Sequence, residues 1–97
     1  MKKRTKALQI TREVKHRVFA RDNGLCVLCG LQGLPEAHYI SRAKGGLGIE
    51  QNIVTLCRKC HHDLDQTIRR RELLRKVKEH LELWYPGYPD EKRVYRR

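Results

Sequence analysis

The chain has 97 residues, with 22 Lys and Arg against 11 Asp and Glu, and so carries a formal net charge of +11. A chain this short makes one small domain with a thin core, so a metal or disulfides are expected to help hold it, and no apolar stretch approaches membrane-spanning length. The charge predicts a polyanionic partner; nucleic acid is favoured over a membrane surface, because the cations are spread over both ends and the middle instead of forming one amphipathic basic helix.

Residues 1–10 read as a basic arm, with Lys2, Lys3, Arg4 and Lys6 and too little apolar content to fold alone. A helix is expected from Thr11, which can cap it. Glu13 falls in its first turn, Val14 and Val18 share a face beside Phe19, and Asn23-Gly24 ends it. Its other face carries Arg12, Lys15 and Arg17, readable as a solvated face or as phosphate contacts. Cys26-Val27-Leu28-Cys29-Gly30 is a tight knuckle whose glycine lets the backbone turn so that both sulfurs meet one ion.

Residues 34–40 are expected as a short strand, with Pro35 near its start, where a missing N–H costs least. Residues 41–48 hold Gly45, Gly46 and Gly48 with the cations Arg42 and Lys44, and form a loop. Residues 49–56 return as a second, β-branched strand, giving a hairpin, and from Cys57 the chain turns into a helix. Residues 67–85 carry a longer helical pattern in which Leu74, Val77, Leu81 and Trp84 make one core-facing stripe, with Arg69, Arg70 and Arg71 near its start and Pro86-Gly87 as its stop. Residues 86–97 are a basic tail with Lys92, Arg93, Arg96 and Arg97. These elements give an α+β class, with one domain over residues 11–85 between arm and tail.

Two Cys-x-x-Cys pairs, Cys26/Cys29 and Cys57/Cys60, favour a shared structural Zn2+ over two disulfides, since no apolar signal run precedes them and a reducing cytoplasm is the expected compartment. Four thiolates fill a tetrahedral zinc and leave no position for water, so chemistry must lie elsewhere. The string Cys57-x-x-Cys60-His61 also matches c-type haem attachment, which would require export and leave the other pair idle. A zinc deaminase is disfavoured, because no His-x-Glu precedes a Pro-Cys-x-x-Cys.

The run His38-Tyr39-Ile40, then Gly45-Gly46, then the segment from Asn52 through Cys57 and Cys60 to His61 resembles the HNH nuclease motif, whose three name residues fall at His38, Asn52 and His61. With Arg21-Asp22 ahead of the first knuckle, the resemblance covers residues 12–66. It implies a ββα-metal fold in which hairpin and helix pinch one divalent ion at the scissile phosphate, flanked here by an N-terminal and a longer C-terminal helix. The implied activity is metal-dependent endonuclease cleavage of DNA. His38 would be the general base, as imidazole titrates nearest working pH. Asn52, by itself readable as a plain turn residue, would steady the loop, and His61 would bind the ion.

One position departs from the pattern. Many members carry an acidic or His ligand just before the base His, and this chain has Ala37 there. Asp65, four residues after His61 on one helix face, and Glu36, on the strand face of His38, are the candidate replacements. Otherwise His61 and the phosphate hold the ion, or the protein is a non-catalytic zinc module that binds DNA or assists a larger complex. The catalytic ion would be Mg2+, Mn2+, Ni2+ or Zn2+. Small proteins of this type resemble those of bacterial phages and mobile elements. The expected partner is duplex DNA, gripped by Lys2, Lys3, Arg4, Lys6, Arg12, Lys15, Arg42, Lys44, Arg69, Arg70 and Arg71 with steep salt dependence; whether one copy or a dimer acts on it stays open.

Overall fold

A computed structural model describes residues 2–96; Arg97 of the basic tail lies outside them. The order of elements is α1 (Lys3–Leu8), α2 (Arg12–Arg21), β1 (Leu34–His38), β2 (Ile53–Leu56), α3 (Arg58–Gln66) and α4 (Arg70–Trp84). The class is α+β: β1 and β2 pair antiparallel, Ala37 opposite Val54 and His38 opposite Ile53, and helices close over the hairpin. Both strands are shorter than the expected 34–40 and 49–56. After the Tyr39 N–H, which donates to the Asn52 carbonyl at 2.7 Å, side-chain bonds from Asn52 replace the ladder, and the connecting loop curls through a single turn of 3-10 helix at Arg42–Lys44. No helix among the described residues is long and apolar enough to cross a membrane.

Local signals set the helix ends. The Thr11 hydroxyl accepts the Val14 N–H at 3.2 Å and starts α2, and positive φ at Asn23 and Gly24 stops it. Cys57 caps α3, its sulfur accepting the Cys60 N–H. In α4 the buried residues are Leu73, Val77 and Leu81, so the expected stripe is displaced by one residue at its start. Leu73 and Leu74 are adjacent, and the four-residue spacing back from Val77 and Leu81 selects Leu73; Leu74 is left half-buried, and Trp84, in the last turn past the core, is 52% exposed.

Two segments expected to be loose are packed. Of the expected arm over residues 1–10, the described residues 2–10 are not free: α1 buries Leu8, and the Gly48 N–H donates to the Ala7 carbonyl at 3.1 Å. A Cβ at Gly48 would collide with the Gln9 carbonyl, so the glycine is what admits this segment. The arm lacks apolar content by itself, but one leucine and a few backbone bonds suffice once a partner surface exists. In the tail, Arg93 is wholly buried. Its guanidinium donates to the carbonyls of Gln51 (2.6 Å) and Tyr88 (2.8 Å) and to Asp90 (2.8 Å), and lies over the rings of Tyr39 and Tyr88. Arg93 therefore ties the tail to the hairpin and does not join the basic surface.

The helices are locked to the hairpin by one buried carboxylate. Asp22, at the end of α2, accepts two bonds from Arg21 (2.7 and 2.9 Å), one from His80 of α4 (2.8 Å) and one from the Thr55 N–H of β2 (3.0 Å). Arg21 reaches on to the carbonyls of Glu50 and Ile53 and to the Tyr85 hydroxyl, which donates to Glu50. Burial alone would raise the Asp22 pKa; the bonds from His80 and Arg21 outweigh it and hold the group well below the usual carboxylate range. The contribution to stability is therefore full above the unfolded-state pKa of about 3.9 and is lost as pH falls through the lower folded value. Asp22→Asn should cost about 3–5 kcal/mol at pH 7, because it strands the Arg21 charge in the interior. Urea unfolding from pH 7 to pH 3 checks this: the parent should lose stability more steeply than the variant at the acid end.

Candidate metal centre and adjoining cleft

The knuckle before β1 and the start of α3 bring four sulfurs together. The donor atoms of Cys26, Cys29, Cys57 and Cys60 all lie within 4.8 Å of one another, and among the described residues no other group of three or more Cys, His, Asp or Glu side chains converges so closely. All four are free, and Cys29 and Cys57 sulfurs stand 3.6 Å apart, well beyond a disulfide bond but near the edge of about 3.8 Å that four sulfurs make around a tetrahedral zinc. The set fits a structural zinc-like ion. Cys26 is shifted down to about 7: burial opposes ionisation, but backbone N–H groups of Cys57, Leu28 and Cys29 outweigh it. Cys60 is pushed far up, by burial first and then by the neighbouring sulfurs. The Cys26 thiolate thus forms readily, whereas Cys29 and Cys60 resist ionisation until a cation sits among them.

The three residues that carry the motif resemblance occupy the other side of the hairpin. Asn52 is fully buried; its amide oxygen accepts the Ile40 N–H at 2.9 Å and its NH2 donates to the carbonyls of Ile40 (3.1 Å) and Leu47 (2.9 Å). It clamps both sides of the loop and is no ordinary turn residue. His38, on β1, is half-buried, with Nε2 3.0 Å from the Leu8 carbonyl of α1. A carbonyl only accepts, so Nε2 carries the proton and the neutral ring keeps its lone pair on Nδ1. Burial, with help from the charges of Arg42 and His61, pushes the His38 pKa below its ordinary value, against the pull of the Leu8 carbonyl and Asp65.

His61 and Asp65, one turn apart on α3, meet at 3.2 Å. Both line an open cleft of about 550 Å³ together with His38, Glu36, Arg42 and Arg70. Glu36 also pairs with Lys15 of α2 at 3.4 Å, which brings that helix's cation to the cleft's edge. Ala37 is fully buried opposite Val54, so its place in the strand serves packing. His62, next to His61, is exposed and shares a shallow cleft on α3 with Arg58, His61 and Asp65.

The expected phosphate-gripping cations divide. Lys2, Lys3, Arg4, Lys6, Arg12, Lys44 and Arg71 are exposed. Arg42 and Arg70 reach the cleft, and Arg70 also donates to the Leu64 carbonyl at the end of α3 and faces Asp65 at 3.7 Å. Arg69 is drawn to Asp63 and Glu72. The Asp22 network and the docking of Leu8 on His38 have little local signal: apart from the adjacent Arg21 and Asp22, their members are separated by 29 to 64 positions along the chain.

No protein-family model and no curated protein matches this chain, so the reading of its site rests on its own residues and geometry. The purified protein should carry one equivalent of zinc, and Cys29→Ser, at the exposed corner of the cluster, should weaken zinc retention and lower Tm. Elemental analysis with thermal unfolding checks both; four thiols that titrate as disulfides would contradict the assignment.

Proposed function

We propose that the protein is a metal-dependent endonuclease of HNH type that hydrolyses DNA phosphodiester bonds. The observation that carries this reading is the convergence of His38, His61 and Asp65 on one open cleft edged by Arg42 and Arg70. A phosphodiester needs an activated water and relief of charge on the leaving 3′ oxygen. His38 is suited to the first of these. Its proton is fixed on Nε2 by the Leu8 carbonyl, its Nδ1 is free to take a proton from water, and its lowered pKa keeps the ring neutral near pH 7. His61 and Asp65 are suited to hold a divalent ion, Mg2+, Mn2+, Ni2+ or Zn2+, which when bound supplies a Lewis acid for the leaving oxygen. Glu36 can add a third donor from the strand side. Asn52 keeps the loop that follows His38 in place, and Arg42 and Arg70 orient the phosphate before reaction.

A second reading, a non-catalytic zinc module that binds DNA or serves a larger complex, is favoured by Ala37: the position before His38 adds no ligand, and the donors left in the cleft do not converge as tightly as the cysteines. In both readings the spread of cations makes binding fall steeply with salt.

Nicking of supercoiled plasmid with each ion added in turn separates the two. The nuclease reading expects the zinc-loaded parent to cut and His38→Ala to lose about 10²–10⁴-fold in rate, the usual worth of a positioned base. The parent rate should rise with pH through a midpoint below the ordinary imidazole value of about 6.5. Equal cutting by parent and His38→Ala would refute the assignment of the base, and absence of cutting with any ion while DNA is still bound would favour the module.

A further inference from the structure

A second cleft, of about 360 Å³, adjoins the first. The two share Ser41 and Arg70, so a strand lying in one continues into the other. Its floor is apolar: Tyr39 and Leu74 pack against the core with part of their surface left open, and Ile40 lies beside them. Its rim is cationic, with Lys44 from the loop and Arg70, Arg71, Arg75 and Lys78 from α4, and no carboxylate lines it. Arg70 faces Asp65 and Lys78 faces Asp90, whereas Lys44, Arg71 and Arg75 make no ion pair among the described residues. The floor is also rigid, since the Tyr39 hydroxyl donates to Asp90 at 3.3 Å and the buried Arg93 lies over its ring.

Exposed apolar surface and crowded like charge are both unfavourable in water, and both are relieved by one kind of ligand: a flat apolar body joined to an anion. A nucleotide is such a ligand. The volume lies at the low end of the range of about 300–1,000 Å³ for small-ligand sites, enough for a single nucleotide and too little for a duplex. We infer that this cleft holds an unpaired nucleotide of the DNA strand that leaves the first cleft, its base against Ile40 and Leu74 and its phosphate among Lys44, Arg71 and Arg75. The direction of the strand rests on the nuclease reading; the ligand class rests on the cleft alone. The preferred substrate is then a duplex with a single-stranded stretch beside the cut, such as an overhang or flap.

The test is binding by fluorescence anisotropy, with zinc-loaded protein and no added divalent ion. Three probes share one duplex: blunt, with a short thymidine overhang, and with an abasic overhang of the same length and charge. The thymidine overhang should bind about three- to tenfold tighter than the abasic one, at the low end of what base–aromatic stacking gives because Ile40 and Leu74 are aliphatic. Arg71→Ala with Arg75→Ala, both at exposed positions, should remove most of the gain of either overhang over the blunt duplex. Equal binding of thymidine and abasic overhangs would overturn the base site, and a gain that survives the double substitution would overturn its location. Cleavage of the same overhang duplex with each divalent ion added reports separately: an overhang preference in binding without cleavage refutes the nuclease and keeps the cleft, and cleavage without the preference does the reverse.

Discussion

The fold depends on the carboxylate of Asp22. It lies where α2 ends, and its four hydrogen bonds come from the helix it terminates, from the backbone of β2 and from α4, so one buried anion joins three elements of the fold. In a low-dielectric interior such a group is tolerable only when every lone pair is satisfied and a cation is at hand, and Arg21 and His80 meet that condition. Arg21 then directs its remaining donors to the carbonyls of Glu50 and Ile53, at the foot of β2. The strand that leads to Cys57 and to α3 is thereby held from behind.

With β2 fixed, the sulfur cluster and the cleft become two faces of one construction. The cluster ties the knuckle before β1 to the start of α3, and α3 carries His61 and Asp65 outward on its other side. The hairpin supplies His38 and Glu36 from β1, and Asn52 clamps the loop above them. The N-terminal helix, through the Leu8 carbonyl, sets the tautomer of His38. In the proposed nuclease the parts divide the work. The zinc-like site holds α3, Asn52 holds the loop, α1 orients the base, and the cations of the loop and α4 guide the strand.

Spacing makes some of this legible in the sequence. The paired cysteines, the Thr11 cap and the one-turn separation of His61 and Asp65 are local patterns, and the structure brings their members together as such patterns require. What is not legible is long-range. Nothing near Asp22 announces His80 or Thr55 as partners. Arg93 reads as one more surface cation, since composition cannot tell a charge stacked between two tyrosines from one in water. The short basic helix α1 escapes a reading by propensity because its stability comes from docking Leu8. The adjacent Leu73 and Leu74 leave the register of α4 ambiguous by one residue, and the half-exposed Leu74 is what floors the second cleft.

The proposed nuclease requires a divalent ion bound between His61 and Asp65, apart from the cysteine cluster and within reach of His38. Titration of the zinc-loaded protein with Mn2+, followed by NMR line broadening, tests this most directly. The expected result is broadening centred on His61, Asp65 and His38 that disappears in Asp65→Asn. Broadening centred elsewhere, or none at millimolar Mn2+, would contradict it.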